Sequence, residues 1–152
     1  MFDAEAFQNM VINQPNSTTS VPWPPGQYPV TIAKVNVRTG TVQKAGPNQG
    51  KPWASLSIMV EADRSVLPEG ASSVAYGSIM LDLTESGGLD LAPGKNVGLG
   101  RLREAVGLNR PGQPFRFSDL EGRSCVVVTD VRVDNNDPNV SYTDVRAFRA
   151  SA

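Results

Sequence analysis

The sequence predicts an all-β domain with one helix, its elements in the order β-β-β-α-β-β behind an N-terminal arm. Three observations predict it. Five segments alternate apolar and polar residues with period two. A single stretch, Val97–Leu108, changes to helical spacing, with Leu99, Leu102 and Val106 at i, i+3 and i+7. Clusters of Gly, Pro, Asn and Asp punctuate the chain between these segments.

The elements follow in order. Residues 1–25 read as an arm. Asp3–Val11 has a weak apolar side made by Phe2, Phe7, Met10 and Val11, enough for a short helix. Asn13–Ser20 reads as linker, and the prolines of Val21-Pro22-Trp23-Pro24-Pro25 force an extended path. The arm is expected to pack on its own domain or on a neighbour. Gly26–Val37 is the first strand. Tyr28, Val30 and Ile32 alternate, and Val35 and Val37 then alternate in the opposite phase, the mark of a β-bulge. Thr39–Lys51 reads as a flexible loop. Trp53–Glu61 is the second strand, with Ala54, Leu56, Ile58 and Val60 inward. Val74–Leu83 is the third, with Ile79, Leu81 and Leu83 inward and Tyr76, Ser78, Met80 and Asp82 outward. After a glycine-rich loop comes the helix, ended by Gly107 or Asn109. Ser118–Gly122 reads as one helical turn capped by Ser118. Ser124–Val133 is the fourth strand, Asp134–Pro138 a turn and Asn139–Phe148 the fifth strand, paired with the fourth as a hairpin. Five strands with one helix between the third and fourth is the element order of a five-stranded OB-fold barrel, whose first strand is curved and whose binding face lies around strands two and three. The domain is expected over 26–149, with 150–152 a short tail.

Composition narrows the function. The 152 residues carry 14 Lys and Arg against 15 Asp and Glu, a net charge of −1, so any attraction for a polyanion must be local. Histidine is absent, which removes the commonest general base and the commonest transition-metal ligand. With one cysteine, no intramolecular disulfide forms and a zinc site of the usual ligands is nearly excluded. Cys125 lies in an apolar run and reads as a buried thiol. No cofactor and no enzymatic activity are expected. Nothing resembles a signal peptide or a membrane span, so a soluble intracellular protein is expected. Asp130, Asp134 and Asp137 lie close in sequence, but turn chemistry explains the last two without a metal.

Charge patterning is more informative. From Ala6 to Val60 there is no Asp or Glu, and within that stretch lie Lys34, Arg38, Lys44 and Lys51, with Trp53 just beyond the last. The outward residues of the first three strands are Lys34, Asn36 and Arg38, then Trp53, Ser55, Ser57 and Met59, then Tyr76, Ser78 and Met80. Single-stranded nucleic acid binds such faces by stacking bases on aromatic rings while cationic side chains follow the phosphates. Small serines leave room for a flat base. The competing reading is that Trp53 and Tyr76 cap the barrel core and the lysines are merely solvated. Arg132 and Arg146 on the last hairpin extend the candidate groove, in competition with cross-strand pairing to Asp130, Asp134, Asp137 and Asp144.

Several short motifs, between about Gly26 and Phe148, resemble phage-encoded OB-fold proteins that bind single-stranded DNA. They are Pro25-Gly26-Gln27-Tyr28, Gly50-Lys51-Pro52-Trp53 leading into Leu56-Ser57-Ile58-Met59-Val60-Glu61, the helix from Leu99 to Leu108, and Asp119-Leu120-Glu121-Gly122-Arg123. The resemblance implies a non-enzymatic protein that coats single strands in phage replication or recombination, in the cytoplasm of the infected bacterial host. It implies replication or recombination proteins as further partners, and it points to Lys51 and Trp53. Homodimers or higher oligomers are compatible with it. The acidic C-terminal tail by which many single-strand-binding proteins recruit partners has no counterpart in Arg146–Ala152, so recruitment by that route is not expected. The alternative is a structural or assembly module of a virion or replication complex that uses the same barrel for protein contacts.

Overall fold

A computed structural model describes residues 1–151; Ala152, the end of the expected tail, lies outside the described residues. Strands β1 (Gly26–Thr41), β2 (Pro52–Ala62), β3 (Val74–Leu81), β4 (Ser124–Val133) and β5 (Ser141–Arg149) close into a barrel in the order β1-β2-β3-β5-β4. Helix α2 (Val97–Ala105) crosses between β3 and β4 and packs on β5 and β3; a short helix α1 (Ala4–Gln8) lies in the arm. This is the OB-fold barrel with its one helix. Alternation places Leu56, Ile58 and Val60 of β2 in the interior with no exposed surface, facing Ile32, Val127 and Leu102 in one core. Each such side chain contributes about 1.5–3 kcal/mol on burial.

The phase change in the first strand is a bulge. Ile32 partners Val60 and Lys34 partners Met59, leaving Ala33 extra. Here β1 stops pairing with β4 and curls into its partnership with β2. The backbone groups freed at the bend find other partners. Ile32 donates its N–H to Arg123 O (2.8 Å) and accepts from Gly122 N (2.7 Å), while Val35 N donates to Glu121 Oε2 (3.0 Å). The segment before β4 thus holds the bend.

Several boundaries differ from expectation, each for a local reason. β1 runs on to Thr41 because its ladder with β2 continues to Thr41 and Pro52. The shorter loop beyond is closed at its base by Val42 N–Lys51 O (2.9 Å) and Gly50 N–Val42 O (2.8 Å). β3 stops at Leu81 because buried Asn96 takes over the backbone of Asp82, accepting from its N–H (2.7 Å) and donating to its carbonyl (2.9 Å). Leu83 instead makes one isolated bridge with Leu89. α2 ends at Ala105, where Gly107 adopts φ 76° and Leu108 N reaches back to Arg103 O at 2.7 Å, so Gly107 and not Asn109 closes it. The single turn covers Phe117–Leu120, and its cap is Arg116, whose N–H is accepted by Asp119 Oδ2 at 2.9 Å, rather than Ser118. α1 is shorter than the expected Asp3–Val11 and buries none of its residues. Cys125 is buried, and desolvation pushes its thiol up to about 11.

One core residue comes from the arm. Trp23 is 1% exposed. β3 and β5 run parallel and share a single bridge, Tyr76 with Asp144. On one side of that bridge Trp23 spans the gap: its indole Nε1 donates to Ser72 O (2.7 Å) just before β3, and its backbone N donates to Thr143 Oγ1 (2.8 Å) on β5. Its ring packs on Tyr28, with centroids 5.1 Å apart. Further along the seam, Gly77 faces inward, where an added Cβ would lie 3.2 Å from Val145. The seam therefore closes with a glycine and a tryptophan in place of a long ladder. Trp23→Ala is expected to cost about 3–5 kcal/mol, the usual penalty for emptying a buried tryptophan site, in a urea unfolding series; a cost under about 1 kcal/mol would show that the arm is not part of the core.

Candidate nucleic-acid interface

The registers assemble the outward residues into a grid. Lys34 lies opposite Met59, which lies opposite Tyr76; Asn36, Ser57 and Ser78 form the next row; Arg38, Ser55 and Met80 the next; Gly40 and Trp53 the last. Antiparallel partners share a face, so the bulge at Ala33 is what turns Lys34, Asn36 and Arg38 outward. Ser55 and Ser78 hydroxyls meet at 3.0 Å and keep the middle of the grid flat.

Only part of this grid is concave. An open groove of about 720 Å³ lies over the β3–β5 seam. Its floor is Ser55, Ser57, Ser78 and Tyr76, with Arg38 on one flank and Arg132 and Tyr142 on the other. Arm residues Ser17 and 19–23 form a wall. Besides the Trp23 bonds, one hydroxyl pins that wall: Ser20 Oγ donates to Ser141 O (2.8 Å) and accepts from Ser141 N (2.7 Å). Tyr76 is 58% exposed and does not cap the core. From Arg38 on β1 to Arg132 on β4 the path crosses four strand spacings, an arc of about 19 Å at about 4.8 Å each.

Of the residues singled out from the sequence, Arg38, Ser55, Tyr76 and Arg132 line this groove. Lys34 sits on the same face beyond its edge, in the row of Tyr76. Lys44 and Lys51 lie on the β1–β2 turn, exposed and outside the groove. Trp53 is half-buried at the far end of the face, its indole laid across Gly40 so closely that a Cβ there would meet the ring at 2.7 Å. Arg146 is not in the lining either. Its Nε pairs with Asp144 Oδ2 at 3.1 Å. Arg146 is the extra residue of a second bulge, since Val128 faces Ala147 and Thr129 faces Val145. Cross-strand pairing of Arg132 to an acid does not occur; it lies opposite Tyr142.

Electrostatically the groove is favourable to anions. Among the described residues Arg146–Asp144 is the one ion pair, so Arg38 and Arg132 have no carboxylate within 4.0 Å. Asp144 is the single acid of the lining, and Arg146 balances it. Tyr142 is oriented by its hydroxyl, which donates to Asp134 Oδ2 at 2.7 Å. That bond, then the N–H of Asn136, holds the Asp134 carboxyl below the usual range, and the same bond raises the Tyr142 phenol. Asp134 also accepts from Asp137 N, so its role is to shape the turn. Among the described residues no group of three or more His, Cys, Asp or Glu could hold a metal ion, and no helix is long and apolar enough to cross a membrane.

Two contributors were not singled out for the groove, Trp23 and the arm wall, and Gly40 was not singled out as the seat of Trp53. The first two reach the groove by tertiary packing that no local period reports. Gly40 fell in Thr39–Lys51, the stretch read as loop, so nothing local marked it as a strand residue under an indole. No family model and no curated protein matches the chain. Gly40→Ala is expected to lift the Trp53 indole off the sheet, read as a shift of indole emission to longer wavelength and readier quenching by acrylamide. Unchanged emission would mean that the ring does not rest on Gly40.

Proposed function

We propose that this protein binds single-stranded DNA without a strict sequence requirement, by base stacking and phosphate contacts in the groove over the β3–β5 seam. The observation that carries the reading is the exposed Tyr76 ring on a serine floor, flanked by two arginines that form no ion pair among the described residues. A base needs a flat platform and lateral room, which Tyr76, Ser55, Ser57 and Ser78 supply together. A phosphate needs a cation that is not locked in an ion pair, and among the described residues neither Arg38 nor Arg132 has a carboxylate within 4.0 Å, although Arg132 lies near enough to Asp134 to help hold its carboxyl down. Lys34, Lys44 and Lys51 extend the positive surface beyond the groove. The resemblance to phage single-strand-binding proteins adds the setting: a non-enzymatic role in replication or recombination in the cytoplasm of the infected host, with other proteins of those processes as partners.

The second reading, a protein-contact module of a virion or replication complex, is favoured by the arm. Phe2, Phe7, Met10, Val11 and Ile12 are all exposed. The two readings differ in salt dependence, because counterion release belongs to phosphate binding.

Fluorescence titration with labelled dT12 at two or more salt concentrations tests the proposal. Tyr76→Ala is expected to weaken binding by about 1–3 kcal/mol, the range for one stacked base. Arg38→Ala and Arg132→Ala are each expected to lower the salt slope by about 0.7, one phosphate on a single strand. Trp53→Ala is expected to cost less than Tyr76→Ala, because the indole lies outside the groove. No binding by the parent protein at low salt would end the reading.

A further inference from the structure

The groove contains one residue that a pure polyanion site would exclude. Asp144 is the only acid of its lining and is paired in register with Tyr76 across the parallel β3–β5 bridge. Residues in register on neighbouring strands point to the same face, so the carboxylate stands beside the aromatic platform. Its side chain is 29% exposed. Oδ2 is held by Arg146 Nε at 3.1 Å, whereas Oδ1 accepts no hydrogen bond from the described residues. A second carboxylate, Asp130, lies opposite Asp144 on β4, where its Oδ1 accepts from Val131 N at 2.8 Å; it is not in the lining. Arg146, the extra residue of the bulge, thus offsets the Asp144 charge, and Oδ1 keeps acceptor capacity on a residue that lines the groove.

We propose that Asp144 reads the edge of the base stacked on Tyr76, so that this one position prefers guanine over thymine within otherwise general binding. This inference rests on the single-strand reading of the groove. The chemistry follows from donor inventories. A carboxylate only accepts. Guanine presents two adjacent donors, N1–H and the N2 amino group, that fit the two oxygens of a carboxylate. Cytosine and adenine present one amino group beside an acceptor. Thymine presents one N–H between two carbonyl oxygens, which the carboxylate repels. The expected order is guanine, then cytosine and adenine, then thymine. A good bidentate pair separates bases by about 1–3 kcal/mol, and with Oδ2 shared with Arg146 in an open groove the low end applies, about fivefold.

The test is competition against labelled dT12 by three pentamers: all thymidine, thymidine with a central guanine, and thymidine with a central hypoxanthine, which keeps N1–H but lacks the amino group. The guanine pentamer is expected to compete about fivefold better than the all-thymidine one, with hypoxanthine between them. Asp144→Asn is expected to bring the three within about twofold while all-thymidine binding stays equal or improves. Arg146→Ala, which leaves Asp144 without its counter-charge, is expected to weaken all three pentamers and keep their order. If dT12 binds and the parent protein ranks the pentamers equally, or Asp144→Asn keeps the ranking, this proposal is wrong and the single-strand reading stands. If dT12 does not bind, both fall.

Discussion

Trp23 spans the seam that backbone hydrogen bonds barely close. β3 and β5 are parallel, and their ladder is a single bridge. A parallel neighbour cannot be reached by a tight hairpin, so the chain must cross over, and α2 lies in that crossover. Where the ladder stops, an indole with partners on both sides takes its place: Ser72 O before β3 and Thr143 Oγ1 on β5. The arm therefore belongs to the fold from about Ser20 onward, where the Ser20 hydroxyl clamps both backbone groups of Ser141. The same weak seam creates the groove. Strands that part leave a trough, and the arm that plugs its floor also becomes its wall. Folding and binding surface are one arrangement here.

Charge acts within that shape. A chain with net charge −1 has no global field to draw in a polyanion. What matters is how its acids are used. Glu121 holds the first-strand bulge, Asp119 and Asp63 cap turns, and Asp134 shapes the last hairpin. These carboxylates are occupied by backbone N–H groups, and among the described residues Arg38 and Arg132 of the groove form no ion pair. The exception is Asp144, whose charge Arg146 offsets at the cost of its own freedom to reach phosphate.

Strand content, the Ala33 bulge, the helix and the last turn were all legible in the sequence, because each depends on neighbours along the chain. Tyr28, Val30, Ile32 and then Val35 report the bulge by phase alone, and the barrel places it where the phase changes. Asn96 was not legible: its αL backbone has no periodic signal, and its bonds to Asp82 join residues 14 apart in sequence. The site divides in the same way. The outward face of β1, β2 and β3 is periodic and was readable, including Arg38, Ser55 and Tyr76. Which part of that face becomes concave depends on Trp23 and the arm, so Trp53, Lys44 and Lys51 were grouped with residues from which the folded chain separates them. Arg146 lies outside the groove lining, paired with Asp144, because it is the extra residue of a bulge that the sequence pattern does not reveal.

Amide chemical-shift mapping of the labelled protein during titration with a short thymidine oligomer tests the central claim most directly. The account predicts shifts concentrated at Arg38, Ser55, Ser57, Tyr76 and Arg132 and in the arm wall from Ser17 to Pro22, with the surface of α2 unmoved. Shifts confined to the β1–β2 turn or to α2, with the seam silent, would contradict it.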